Sequence, residues 1–298
     1  MKTYSSILLA WIVGLVVSPA APDREIVPEP AVVAVSTGAE AQFQQARDLL
    51  MGQGVPKDEK KAFELMMSAA NQGHPDAIGG IGYFHSRGIV VEKDDAAAAG
   101  WFRKGSEKGS AKAQLNLGKL LLDGKGGGTE TDPEKLRAEG LAWVRKAADQ
   151  KLADAASTYG IILYQAGYGQ PRDPSAAAPY LKLAAEQGVV DAQNTLGYMY
   201  TSGDGVPYDP AVAGEWLKKA ALQGHVKAQA NYGELLDPMA ADRVTGVEAV
   251  AWLLVASEKG DVGAKKVLQD HVPALKAGEL ELARTRAAEL RKTIVVRK

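Results

Sequence analysis

Four histidines are the side chains of this chain with the most chemical reach: His74, His85, His225 and His271. Imidazole works near neutral pH as a general base, a proton shuttle or a metal ligand. None of the four stands four residues from another, and neither an H-E-x-x-H motif nor a calcium-loop spacing occurs, so no helix face presents a metal pair. His74 and His225 both follow the dipeptide Gln-Gly, and a position written twice in the same turn points to a structural task. His85 falls within an apolar stripe, where packing is its expected role, and His271 is isolated near the C-terminus.

Nucleophiles fare no better. There are no cysteines, which removes thiolate chemistry, disulfides and thiolate metal sites. No serine is followed by lysine three residues on, so the S-x-x-K arrangement is absent. The stretch GWFRKGS at Gly100–Ser106 approaches a phosphate loop but lacks the lysine after its second glycine. GKGGG at Gly124–Gly128 could offer amides to an anion, yet no dinucleotide fingerprint surrounds it, and a flexible turn is expected. Carboxylate pairs such as Asp94 and Asp95 sit where they would cap helices. The chain is therefore expected to have no catalytic residue, no cofactor and no metal.

Lys plus Arg (35) nearly balances Asp plus Glu (36), so no global field favours nucleic acid or anionic lipid, and no nucleic-acid partner is expected. Only the C-terminal RKTIVVRK is locally basic, as a solvated tail would be. With 298 residues, 46% of them hydrophobic, one or two domains can bury a core. Residues 1–20 read as an export signal: Lys2, an apolar run from Ile7 to Val17, and Ser18-Pro19-Ala20 as a small-x-small cleavage site. That run falls short of the roughly 20 residues a membrane span needs. The chain is expected to act in the periplasm or as a secreted protein, with no membrane span after cleavage and an extended, Pro-interrupted tether over residues 21–38.

The elements that would position any site come from a repeat. Small residues open successive units at Ala41, Ala77, Ala113, Ala155, Ala192 and Ala228, with Ala264 starting a partial seventh; the intervals are 36, 36, 42, 37, 36 and 36. Leu65, Trp101, Trp143, Tyr180, Trp216 and Trp252 recur near the twenty-fifth position. In the fifth unit, Leu196, Met199 and Tyr200 give the first half a helical period. Gly203 and Gly205 end that helix, and Asp209-Pro210 starts another carrying Ala213, Trp216, Leu217 and Ala220. Asp58, Asp94, Asp132 and Asp173 recur at the same start signal. Gly82, Gly118, Gly160, Gly197 and Gly233 each sit inside a first helix at a cost of up to about 1 kcal/mol, which implies a backbone packed against them. The Ala-Ala pairs are expected to let helices approach while the tryptophan fills the space beside them. The third unit carries six extra residues, read as two in its loop and four, about one turn, in its second helix. Residues 39–263 are thus expected to form six stacked helix hairpins, and residues 264–298, with Leu280, Ala283, Ala287 and Leu290 in stripe, a C-terminal cap.

The unit from Ala192 to Gly224, with its Leu-Gly, Gly-x-Gly-Val, Asp, Trp and Ala-Ala positions, resembles the Sel-one-like repeat, a branch of the tetratricopeptide-like solenoids. The resemblance covers Ala39 to Gly263 and implies an all-α, right-handed α-α solenoid. It also implies a non-enzymatic scaffold or adaptor in the cell envelope, gripping a partner protein or extended peptide on its concave face, with regulation of signalling or envelope assembly as its role. Side chains not used by the stacking pattern give the candidate contacts: a row of amides at Asn116, Asn194 and Asn231 with Thr158, and Tyr83, Lys119, Tyr198 and Glu234 at the seventh position. Groove asparagines in the similar tetratricopeptide clamps hold peptide backbone. A cysteine-rich branch of the family hydrolyses β-lactams, so a hydrolase acting on β-lactam or peptidoglycan-like substrates is the alternative.

Overall fold

Asp58, Asp94, Asp132, Asp173 and Asp209 each turn a carboxylate oxygen onto the amide of the second or third residue of the helix that follows. Those amides have no partner inside the helix, so the aspartates fix where five of the six second helices start. The computed structural model describes residues 38–126, 128–237 and 243–294. The expected export signal and, apart from Gly38, the tether lie outside the described residues.

Among the described residues there are fourteen α-helices and no strand. The hairpins pair α1 (Ala39–Met51) with α2 (Glu59–Asn71), α3 (Pro75–Arg87) with α4 (Asp95–Glu107), and α5 (Ala111–Leu122) with α6 (Pro133–Asp149). The next three pair α7 (Ala153–Gln165) with α8 (Pro174–Glu186), α9 (Val190–Ser202) with α10 (Pro210–Leu222), and α11 (Val226–Leu235) with α12 (Arg243–Glu258). Helices α13 (Val262–His271) and α14 (Glu279–Thr293) follow. Each second helix also packs on the next first helix, which makes the stack an all-α solenoid. First helices touch one another as well, α3 with α5, α7 with α9, α9 with α11 and α11 with α13, so they form the inner row.

The glycine inside five of the six first helices is a notch. A Cβ on Gly118 would stand 2.6 Å from Val144 Cγ2 and 2.8 Å from the carbonyl oxygen of Gly140; on Gly197 it would stand 2.7 Å from Leu217 Cγ. Phe102, Leu181 and Leu253 fill the notches at Gly82, Gly160 and Gly233 in the same way. The plug is therefore the residue after the tryptophan position, and all five plugs are buried. This corrects the expectation that the indole fills that space. One residue corresponds to 100° around a helix, which turns Trp101, Trp143 and Trp216 to the half-buried flank. There the ammonium groups of Lys104, Lys146 and Lys219, three residues on, lie 4.7, 5.0 and 4.2 Å from the ring centroids. Trp252 has Val255 at that place and is only 1% exposed. Helix α14 covers it: Ala287 and Leu290 join its cluster, and Arg286 pairs with Glu248, which also accepts from Trp252 Nε1 at 2.9 Å. Ala283, Ala287 and Leu290 are the buried stripe of α14, and α14 seats on α12 rather than on α13.

Helix α6 has 17 residues where α2, α4, α8 and α10 have 13, so four of the six extra residues add one turn. The insertion folds back on the second unit. Lys125 pairs with Asp95 at 3.7 Å, a Cβ on Gly126 would meet Ala99 at 2.5 Å, and Leu136 of the added turn is buried beside Ala98 and Phe102.

Two polar ladders run through the joints. Gln42, Gln114 and Gln193 are buried and accept at Oε1 from Gln72, Gln150 and Gln223 at the end of their own hairpins, at 2.7, 2.7 and 2.8 Å. The Nε2 groups of Gln114, Gln193 and Gln229 donate to carbonyls of the preceding second helix. In the sixth unit Lys259 replaces the donor glutamine, and the buried Gln229 Oε1 has no hydrogen-bond partner. The second ladder caps the first helices. His74 and His225 accept the amides of Ala77 and Ala228 at Nδ1, which places the proton on Nε2 facing Glu40 (2.8 Å) and Asp191 (3.3 Å). Ser110 caps α5 and donates to Asp76 at 2.6 Å, and Asp261 caps α13 beside Lys227. Leu152 and Val189 interrupt this ladder: they offer α7 and α9 no side-chain cap and leave Lys112 and Asp154 without the partner that the other units supply.

Gly118→Ala should cost about 1–3 kcal/mol in urea or thermal denaturation, because the added methyl must displace Val144 and the Gly140 carbonyl. Gly100→Ala, in α4 with nothing within 4 Å of the new Cβ, should instead gain about 0.5–1 kcal/mol. Lys259→Gln should raise stability by about 1 kcal/mol, since it supplies the donor that the buried Gln229 oxygen lacks.

Candidate partner-binding surface

Helical spacing places the residue before each opening alanine, the fourth position and the seventh on one face, at i, i+4 and i+7. On successive first helices of the inner row this gives a continuous stripe, which includes Lys112, Asn116 and Lys119 on α5 and Lys227, Asn231 and Glu234 on α11. Its first row supplies the partners of the capping ladder, so the ladder forms one edge of the stripe.

The structure sorts the expected contacts. Tyr198 is the most open aromatic among them, 49% exposed, and its side chain makes no hydrogen bond to the described residues. Lys119 and Glu234 are exposed, and among the described residues neither has an ion-pair partner. Tyr83 is half-buried: its ring rests on the cluster of Ala98, Phe102 and Leu117, with the Arg87 guanidinium 5.7 Å from its centroid. Asn116 is half-buried at the fourth position of its unit. Asn194 stands third in its unit, not fourth, one residue off the row of Asn116 and Asn231, and Thr195 takes its place there. The two asparagines are nonetheless brought together, Asn231 Nδ2 donating to Asn194 Oδ1 at 3.1 Å, so part of each amide is already used. Thr158 and Thr195 turn their hydroxyls back onto the carbonyls of Asp154 and Asp191 in their own helices, at 2.7 and 2.8 Å. Ile161, at the seventh position of the fourth unit, is a half-buried member of the stripe between Lys119 and Tyr198. Reading the seventh position in every unit finds it; reading only for polar and aromatic types does not.

At the first unit, the Glu40 carboxyl is held below the ordinary carboxylate range, chiefly by the amide of Gln44 and then by His74. Behind the stripe, the loops of the fourth and fifth units are tied by Arg172, which pairs with Asp204 and stacks 5.0 Å over the Tyr164 ring. Burial, and then the nearby Asp204, raise the Tyr164 hydroxyl above its ordinary range. Where the capping ladder is interrupted, a groove of about 500 Å³ opens along the turns, lined by Leu152, Ala153, Asp154, Val189, Val190 and Asp191. Among the described residues no group of three His, Asp or Glu is placed to hold a metal ion. His74 and His225 are the helix caps described above, and His271 Nδ1 donates to the Val267 carbonyl at 2.8 Å.

Comparison with known proteins adds the lineage. The Sel1 repeat family model matches residues 39–74, 75–110, 111–152, 153–189, 190–225 and 226–261. The chain is similar to chitin synthase regulatory factor 3 of Schizosaccharomyces pombe, 29% identical over 144 residues, which are 48% of this chain and 15% of that protein. It is also similar to the exopolysaccharide production negative regulator of Rhizobium meliloti, 28% identical over 130 residues, 39% of this chain and 46% of that one. The chain spans less than half the length of either relative. Among solved structures, a Sel1 repeat protein from Oxalobacter formigenes is similar at a TM-score of 0.61 and 28% identity, covering 75% of this chain and 89% of that one. Six consecutive matches, each holding one hairpin of the stack, mean that this chain belongs to the Sel1 repeat family.

Proposed function

We propose that this protein is a non-enzymatic scaffold or adaptor that holds another protein, through an extended segment, against the inner stripe of its first helices. One observation carries this reading. The cores of the hairpins consume the alanines, the glycine notches and their plugs, while Tyr198, Lys119 and Glu234 stand exposed in register along the inner row, with Ile161, half-buried against the core, in the same row. An exposed row of this kind, repeated from unit to unit, is the surface that solenoids present to partners. Two relatives named as regulators support a regulatory role for such binding. Lys2, the apolar run to Val17 and the small residues after it support a place in the periplasm or outside the cell, in signalling or envelope assembly. Among the described residues no helix is long and apolar enough to cross a membrane.

Chemical cross-linking in cells followed by mass spectrometry tests the reading. The triple variant Tyr83→Ala, Lys119→Ala, Tyr198→Ala should lose its cross-linked partners at least about ten-fold, as removal of clustered aromatic anchors does. The triple variant Lys104→Ala, Lys146→Ala, Lys219→Ala, on the second helices, should keep them. Undiminished cross-links in the first variant would reject the inner stripe as the binding face.

A further inference from the structure

Between the two helices of each of the first five hairpins the chain turns through a pair of left-handed residues two apart, and the second of the pair is glycine in three units: Gly54 at φ 71°, Gly126 at 70° and Gly205 at 77°. Val90 holds that place in the second unit at φ 66°, and Tyr168 holds it in the fourth at φ 56°. A left-handed backbone crowds any Cβ, and a β-branched side chain most of all, so glycine is the unstrained choice that these two units forgo. Neither side chain is buried in return: Val90 is 45% exposed and Tyr168 44%. The glycines show what a side chain displaces. A Cβ on Gly126 would stand 2.5 Å from Ala99 Cβ, and one on Gly205 2.4 Å from the Pro174 carbonyl carbon, so in those units the loop lies directly on the second helix of the hairpin before it. The isopropyl group of Val90 cannot enter such a contact. It holds its loop off the start of α2, and a groove of about 680 Å³ opens there, walled by Leu49, Pro56, Val90 and residues 57–61.

We infer that this groove is a second interaction surface, which takes a short segment of a partner polypeptide carrying a bulky apolar side chain between carboxylates. Leu49, Pro56 and Val90 supply its apolar walls. Three lysines and two carboxylates line the rest, and both carboxylates are engaged: Glu59 with Lys57 at 2.7 Å, and Asp58 with the amide of Lys61 at 3.0 Å. Lys60 and Lys61 have no ion-pair partner among the described residues, so the groove carries an excess of positive charge beside its apolar walls. Apolar area supplies the affinity of such a contact, and the ammonium groups, individually weak, select the sign of the charge beside it. Strained residues persist where the surrounding structure holds them, and they gather at binding sites. Glycine in place of Val90 would release the strain and let the loop seat as it does in the third and fifth units, closing the groove. The surface lies on the loop edge rather than on the inner stripe, and the inference does not depend on the role of that stripe.

The probe is a fluorescent, end-blocked peptide of about eight residues, at ~3.3 Å each long enough to cross the groove, with a Leu-Phe pair flanked by glutamates. Its control replaces each glutamate with lysine. Binding is followed by fluorescence anisotropy with the whole protein at low salt, where the screening length exceeds about 10 Å. The glutamate peptide should bind about ten-fold tighter than the lysine peptide, because several weak pairs act together. Val90→Gly should lower that affinity at least about ten-fold, as loss of an apolar anchor does. The same variant should keep its thermal midpoint or raise it by up to about 3 °C, since relief of strain offsets the freedom that glycine adds to the unfolded chain. Lys60→Glu with Lys61→Glu, in the first turn of α2 where glutamates suit the helix dipole, should reverse the preference between the peptides. No binding of either peptide, equal affinity for the two, or a Val90→Gly variant that binds as before or melts lower would each overturn the inference. Dimers of the protein that dissociate in Val90→Gly would also overturn it, since the occupant of the groove would then be a second copy of this chain.

Discussion

Five of the six hairpins close through one exchange, in which the first helix gives up a side chain and the second fills the gap, and most of the array depends on it. In each of five first helices a glycine removes its Cβ, and the plug from the second helix enters the gap to within contact of backbone. The pair is then dry and rigid enough to present its remaining apolar surface as a flat seat for the next hairpin. The first hairpin carries the fully buried Ala46 at that place and packs α1 against α2 without a notch, so a single methyl can be accommodated there.

Stacking leaves polar groups at every joint, and the protein accounts for them with the same economy in most units. A glutamine at the start of two first helices, Gln114 in α5 and Gln193 in α9, bridges the hairpin before it and the hairpin it belongs to, and a capping side chain reaches the helix one unit back. Because these bonds link neighbours only, a lapse in one unit stays local. The sixth unit can leave Gln229 Oε1 unmatched, and the fourth and fifth can start with Leu152 and Val189, without disturbing units elsewhere. Such local freedom lets a structural ladder be edited into a surface with its own distribution of charge.

What could be read from the sequence was whatever a single helix decides for itself. The aspartate caps, the glycine row and the added turn of α6 are each set by one helix and its period, and each is found where the spacing placed it. What could not be read depends on which side of a second helix a large residue faces. Tryptophan, the most regular residue of the unit, points the reading toward the core, yet the residue after it is the plug, and the difference of 100° around the helix is decided by packing between helices. The stripe was half legible for a related reason. Tyr198, Lys119 and Glu234 follow from position, whereas the bond between Asn231 and Asn194, and the withdrawal of Tyr83 onto its neighbours, are decided between units.

Helix α14 seats on the sixth hairpin through contacts particular to that unit. Its seat requires Val255 where other units carry a lysine over the indole, and it requires Glu248 and Glu258 to receive Arg286 and Arg291. A duplicated hairpin inserted anywhere upstream would find the seat of an ordinary unit on both sides. One inserted between α12 and α14 would find neither, and would strand the indole it displaced. The sixth hairpin and helix α14 are thus matched to each other as a pair.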